Sequence, residues 1–318
     1  MNVLFWVLFA LISVAVIVII VLICATVYFY RLTILRKPTA TLENNINAST
    51  DWSKHLDFIH KRKEWFYAQP MEEVYINSCD GLKLHATLLK NSSPSIKTVI
   101  CFHGYTSCGK NDYTSLSKFY YEHGFNVLIV DERAHGESEG KYIGFGVLDR
   151  NDAKSWVQYI IEQFGNDSII FLHGTSMGGA TVLMATGVDL PSNVKAVVSD
   201  CAFTSAYDVF CHILKRDYHI PKFPIMNLTD YLTKKNAGYG YKDVNTIDCV
   251  SKTNIPILFI HGDKDDFVPY WMSEKNYAGC SSEKELLIVQ GADHAESYYV
   301  NTSAYEAALL RFIEKYAH

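Results

Sequence analysis

Beyond residue 70 the chain alternates short apolar runs with longer stretches whose apolar positions recur every three or four residues, the pattern of strands joined by helices. Residues 73–78 and 82–89, separated by Cys79-Asp80-Gly81, predict a hairpin with Asp-Gly in its turn. The runs 98–102, 126–130, 168–172 and 194–199 are apolar at successive positions, as strands buried on both faces must be. Residues 113–122 and 147–164 read as crossover helices, 256–260 and 285–289 repeat the strand pattern, and 302–316 predict a closing helix. Parallel strands joined in this way bring their C-terminal ends to one edge of the sheet, where such sheets bind ligands. That edge carries Gly104, Arg133, Ser176, Asp200, Asp265 and His294.

The N-terminal stretch follows a different rule. From Val3 to Tyr30 there is no charged side chain, and only Ser13 and Thr26 interrupt it with clear polarity. As a helix this run rises about 42 Å, against a hydrocarbon core of ~30 Å, and it lacks an amphipathic stripe. It predicts a transmembrane anchor over residues 1–30, with Trp6 at one interface and Tyr28, Phe29 and Tyr30 at the other. No Lys or Arg precedes it and it exceeds the apolar core of a secretory leader, so the anchor is read as uncleaved. Arg31, Arg36 and Lys37 follow it, which places the remainder of the chain in the cytoplasm, with the extracytoplasmic side as the alternative. Residues 31–69 read as a juxtamembrane segment, with a polar linker over 39–47 and a leading helix over 54–69. Residues 70–318 form one α/β domain. The connection between Asp200 and Pro256 is far longer than a usual crossover and is rich in apolar residues, so 203–250 are expected to form a cap that shapes a substrate pocket.

Composition narrows the function classes. A hydrophobic content of 49% with 20% charged residues describes a chain with a sizeable core. The net charge of −5, without a long basic run, argues against a nucleic-acid partner. The 8 cysteines include no C-x-x-C pair and no disulfide framework, as in a reducing compartment. Cys108, near the loop at 103–107, reads either as a redox-sensitive thiol or as a small buried residue. His-Gly dipeptides at 103, 123, 135, 173 and 261 raise a hydrolytic metal site as an alternative; there is no H-E-x-x-H, each falls where a tight turn is needed, and no metal or other cofactor is expected.

The chemistry is concentrated in Gly174-Thr175-Ser176-Met177-Gly178, which follows a strand and precedes helix-forming residues. A strand that turns sharply into a helix leaves no room for a Cβ two residues before or after the serine, so G-x-S-x-G here describes a nucleophile elbow. A serine hydroxyl needs a base within hydrogen-bond reach, and the base needs an acid to fix its tautomer. His294 follows the last strand and supplies the base. Asp265, Asp263 and Asp266 follow the preceding strand, and Asp200 ends the strand after the elbow helix; all four are candidate acids.

These motifs, with His103-Gly104-Tyr105-Thr106-Ser107, the run from Asp131 to Ser138, and the loops 261–269 and 291–294, resemble α/β-hydrolases of the serine esterase, thioesterase and S33-type aminopeptidase group over about residues 70–317. The resemblance implies an α/β-hydrolase fold: a mostly parallel central sheet with helices on both faces, an inserted cap and one preceding transmembrane helix. It implies Asp265 as the acid, since the family takes it from the D of H-G-x-x-D-x-x-V-P. The N–H groups of Tyr105 and Met177 would form the oxyanion hole. The loop at 103–107 departs from the H-G-G-G form of one lipase and esterase branch. The implied activity is hydrolysis of a carboxylic ester or thioester, small or lipid-like, through an acyl-enzyme. An S33-type peptidase is the alternative, with Asp208, Asp217 or Asp230 as a candidate partner for a substrate amino group, and a non-catalytic binding protein is a second alternative.

Overall fold

The computed structural model describes residues 3–40 and 50–318. It opens with α1 (Val3–Ile34) and, after a single 3₁₀ turn, α2 (Leu56–Tyr67). The hairpin β1 (Glu72–Asn77) and β2 (Lys83–Leu89) leads into β3 (Lys97–Phe102), α3 (Gly109–Glu122), β4 (Asn126–Val130) and α4 (Asp149–Phe164). Then come β5 (Ile169–Thr175), α5 (Met177–Ala185) and β6 (Val194–Asp200). Helices α6 (Ala206–Tyr218), α7 (Ile225–Ala237) and α8 (Thr246–Val250) occupy the long connection before β7 (Ile257–Gly262), α9 (Trp271–Gly279), β8 (Lys284–Val289), α10 (Ser297–Val300) and α11 (Thr302–Tyr316).

The strands form one 8-stranded sheet in the order β1-β2-β4-β3-β5-β6-β7-β8. β1 and β2 pair antiparallel, β2 pairs antiparallel with β4, and every later pairing is parallel. This is the mostly parallel α/β architecture anticipated from the apolar runs. Alternate residues of each strand serve opposite faces. Ile100, Phe102, Leu128, Val130, Ile170 and Leu172 pack on one side with α4 and α5, through Trp156 and Leu183 among others. Val99, Cys101, Val127, Ile129 and Phe171 pack on the other with α2, α3 and α11, where Phe66, Tyr113, Leu309 and Phe312 fill the layer. Burial on both faces is the reason the central strands read as continuous apolar runs.

α1 runs four residues past the expected anchor boundary at residue 30, and its two parts have different surroundings. From Val3 to Val21 its side chains are exposed apart from a half-buried Ser13, whereas Thr26, Phe29 and Ile34 are buried against the body. The chain beyond the helix is also fastened down: Ile143 N–H donates to Ile34 O (2.8 Å), Arg36 N–H to Lys141 O (2.9 Å) and Ala40 N–H to Thr106 O (2.8 Å). Of the linker expected over 39–47, only Thr39 and Ala40 fall within the described residues.

Arg133 follows the C-terminal end of β4, the edge on which it was expected, and joins three parts of this scaffold. Its guanidinium donates to both carboxylate oxygens of Asp152 on α4 (2.7 Å each) and to Asp80 in the β1–β2 turn (2.9 and 3.2 Å). Burial raises the Asp152 carboxyl to about 6, against the opposing pull of Arg133. Replacing Arg133 by alanine leaves Asp152 buried without its cation, at an expected cost of about 3 kcal/mol. The melting temperature at pH 7.5 should fall by on the order of 10 °C, and by less at pH 5, where Asp152 is protonated. Equal losses at both pH values would show that Arg133 acts through packing alone.

Candidate active site

Strand β5 ends at Thr175 and α5 begins at Met177, which leaves Ser176 alone in the turn with φ 56° and ψ −112°. Such a conformation is costly for a side chain with a Cβ and persists only where its surroundings enforce it. Here Ser176 N–H donates to Asp200 O on the neighbouring strand (2.8 Å), and Gly178 N–H donates to His103 O at the end of β3 (3.0 Å). A Cβ on Gly174 would collide with the Gly178 backbone, and one on Gly178 with the carbonyl of Phe102. The steric demand read from G-x-S-x-G is therefore met by backbone atoms, which cannot move aside as a flexible side chain can.

The structure brings together the residues expected from three separate stretches of sequence. His294 Nε2 lies 2.9 Å from Ser176 Oγ, and His294 Nδ1 lies 2.7 Å from Asp265 Oδ2. Asp265 is fixed by more than its histidine. Its Oδ1 accepts from the N–H groups of Phe267 (3.0 Å) and Val268 (2.8 Å), and its Oδ2 also faces His261 Nε2 at 3.1 Å. Burial opposes ionisation of Asp265, yet His294 and His261 hold its carboxyl well below the usual range.

The other candidate acids are engaged elsewhere. Asp263 Oδ1 accepts from Gly291 N–H (2.7 Å), and Asp266 Oδ1 from Arg216 (3.1 Å). Asp200 Oδ2 accepts from the Tyr305 hydroxyl (3.0 Å), and burial raises its carboxyl to about 6. Cys201, Asp265 and His294 lie close enough to be possible metal donors, but Asp265 Oδ2 and His294 Nδ1 are hydrogen-bonded to each other at 2.7 Å.

Burial lowers the basicity of His294, and the carboxylates of Asp265, Asp200 and Asp293 more than reverse this, so its pKa lies above the ordinary 6.5. Only the neutral ring can accept a proton from Ser176. The acid limb of kcat/KM is therefore expected above pH 6.5, with the rate falling as pH drops through it. A pH profile on an uncharged ester checks this; a limb at or below 6.5 would mean that the carboxylates do not govern the ring.

The loop after β3 is braced by histidines that the sequence showed only as turn markers. His103 Nε2 accepts from Glu132 N–H (3.0 Å) and its Nδ1 faces Gly104 O (2.7 Å); His135 Nε2 accepts from Thr106 N–H (3.2 Å). Burial, then the neighbouring His103, hold His135 down to about 3, which keeps it an acceptor. Gly104 N–H is held by Asp112 Oδ2 (2.8 Å), for which no motif gave a signal. Met177 is the first residue of α5, so its N–H is one of the donors a helix start leaves without an intrahelical partner. Tyr105 spans the site: its ring packs on Phe145 (5.2 Å between centroids) and its hydroxyl donates to Leu32 O at the end of α1 (2.6 Å). Cys108, at the start of α3, is raised to about 11 by burial and is not an activated thiol.

Two cavities meet at Ser176. One, of about 100 Å³, is bordered by Gly104, Asp200, His294 and the tyrosines 113, 298 and 305. The other, of about 900 Å³, extends from Ser176 and Met177 between α6 and the chain that leaves α1. Of the carboxylates weighed as partners for a substrate amino group, Asp208 accepts from Thr204 (2.7 Å), Asp217 from Arg216 (2.6 Å) and Asp230 from Tyr241 N–H (2.6 Å).

Comparison with known proteins agrees with this architecture. A family model described as the alpha/beta hydrolase fold matches residues 97–220. The uncharacterized protein YqkD of Bacillus subtilis is 30% identical over 217 residues, covering 68% of this chain and 71% of YqkD. The esterase Pf2001 of Pyrococcus furiosus superposes with a TM-score of 0.67 at 20% identity, over 89% of this chain and 98% of its own. Est1E from Butyrivibrio proteoclasticus, solved with ferulic acid, gives 0.62 at 22% identity over 77% and 99%. At these identities the two structures share the fold with this chain. With sheet order, elbow, family model and relative in agreement, the chain belongs to the α/β-hydrolase superfamily.

Proposed function

We propose that this chain is a serine hydrolase that cleaves a carboxylic ester or thioester through an acyl-enzyme. The observation that carries this reading is the continuous hydrogen-bonded path from Ser176 Oγ through His294 to Asp265. Ser176 Oγ attacks the carbonyl carbon while its proton passes to His294 Nε2. The N–H groups of Tyr105 and Met177 receive the oxyanion. His294 then returns the proton to the leaving alcohol or thiol, and water, deprotonated by the same ring, releases the acid. Asp265 holds the ring and stabilises its cation. The helices within 203–250 act as the cap of this site.

The exposed apolar length of α1 supports an anchored enzyme, and Arg31, Arg36 and Lys37 after it favour a cytoplasmic catalytic domain. The peptidase alternative gains no support from Asp208, Asp217 and Asp230, each of which has a partner within the protein. A fluorophosphonate probe tests the central claim on the full-length chain. Labelling is expected on Ser176 in the wild type and should be lost in both Ser176→Ala and His294→Ala. A folded wild type that takes no label would instead support a binding protein.

A further inference from the structure

The larger cavity is bounded on one side by the nucleophile and on the other by the end of the apolar N-terminal helix. Leu32 and Thr33 of α1 line it together with Phe203 and the α6 residues Val209, Phe210 and Ile213, Ser176 and Met177 border it as well, and Arg216, Asp217 and Asp266 add a charged part to its lining. This wall is built in, because Thr33 Oγ1 lies 3.0 Å from the Tyr241 hydroxyl, Leu32 O accepts from Tyr105, and the Phe29 ring meets Tyr218 edge-on at 4.8 Å. A pocket of about 900 Å³ stands at the upper end of the range for small-molecule sites.

The helix itself places this cavity relative to a bilayer. The exposed stretch from Val3 to Val21 rises about 28 Å, close to the ~30 Å of a hydrocarbon core. Leu22 is the first residue that packs against the body, so the domain begins where the span ends. Leu32 stands about 16 Å farther along the same axis. Helix α7, which packs beside α1, leaves Leu228 and Tyr231 exposed, as is Phe223 just before it, with Lys222 and Lys235 nearby and Lys234 paired to Asp243 (2.9 Å). Apolar and aromatic side chains bordered by lysines are the composition of a surface that rests on headgroups.

We infer that the substrate is a long-chain acyl ester dissolved in the bilayer, whose chain leaves the membrane alongside α1 and fills this cavity, with the end of the membrane helix as one wall of its acyl site. The inference rests on the serine-hydrolase reading. Ser176 Oγ forms the new ester bond with the acyl carbon as the bond to the leaving oxygen breaks. The proton passes through His294 to the released alcohol, and water frees the carboxylic acid.

The test uses full-length protein in phosphatidylcholine vesicles, with p-nitrophenyl palmitate and p-nitrophenyl butyrate as competing substrates and rates normalised to fluorophosphonate-labelled enzyme. The wild type should favour palmitate by about ten-fold or more in kcat/KM, since each buried methylene adds binding. Leu32→Trp and Ile213→Trp, which fill the cavity from α1 and from α6, should each reduce that preference by about ten-fold. Preference for butyrate in the wild type overturns the inference, as does a ratio that moves by less than about two-fold in both variants. Normalisation removes any unfolded fraction from the ratio. If the folded wild type neither labels nor turns over either ester, the hydrolase reading itself fails.

Discussion

Ser176→Ala is expected to lower kcat on an activated ester by on the order of 10³ or more while leaving the protein folded. The loss is large because the hydroxyl is the only atom of the side chain that can form the acyl bond, and the other hydroxyl of the elbow, that of Thr175, pairs with Tyr113 (2.9 Å) while His294 Nε2 faces Ser176 (2.9 Å). The fold is spared because the strained turn is held by backbone bonds to Asp200 and His103, which an alanine retains. Residual rate would come from the oxyanion donors and from binding, as it does when one member of such a group is removed. Unchanged melting with lost turnover is the combined result to look for. Turnover close to the wild-type rate would assign the chemistry to a different group.

Asp265→Asn should also be severe, about 10⁴-fold in kcat, although it changes only an oxygen to an amide nitrogen. The direction of the new amide is dictated by the backbone. Phe267 N–H and Val268 N–H both donate to Oδ1 and therefore require an oxygen there, so the NH₂ group must take the place of Oδ2. It then donates to His294 Nδ1, which forces the ring proton onto Nε2, facing Ser176 with a donor where an acceptor is needed. Removal of the carboxylate also withdraws a main influence that raises the pKa of His294, so the acid limb of any residual activity should move to lower pH than in the wild type. A pH profile of the variant separates this from simple loss of folding, and a limb that stays in place would mean Asp265 does not set the ring's basicity.

The residues that support the site are only partly legible in the chain. His103 and His135 were visible as His-Gly pairs after strands, and their placement at tight turns was legible. Their pairing across the sheet edge, with the amides of Glu132 and Thr106, was not, because it joins residues some thirty positions apart through two loops. His261, which shares Oδ2 of Asp265 with His294, stands near the end of β7, four residues before the acid. Nothing in its sequence context distinguishes a ring that faces the carboxylate from one that faces solvent.

Apolar runs and a few glycines were enough to specify the sheet and the elbow. Strands buried on both faces need uninterrupted apolar runs, so β4 and α11 fall on the anticipated residues and the other strands within a few positions. The glycines around Ser176 are demanded by local backbone contact, which a short motif records in full. Local rules could not choose among Asp263, Asp265, Asp266 and Asp200, since all of them end or follow strands at the same edge. Only the tertiary structure set Asp265 against His294 and gave the others partners elsewhere. It alone also decided where α1 stops facing outward and starts to line a cavity. Phe29 and Ile34 continue the apolar run that precedes them, and an apolar side chain looks the same in sequence whether lipid or protein covers it.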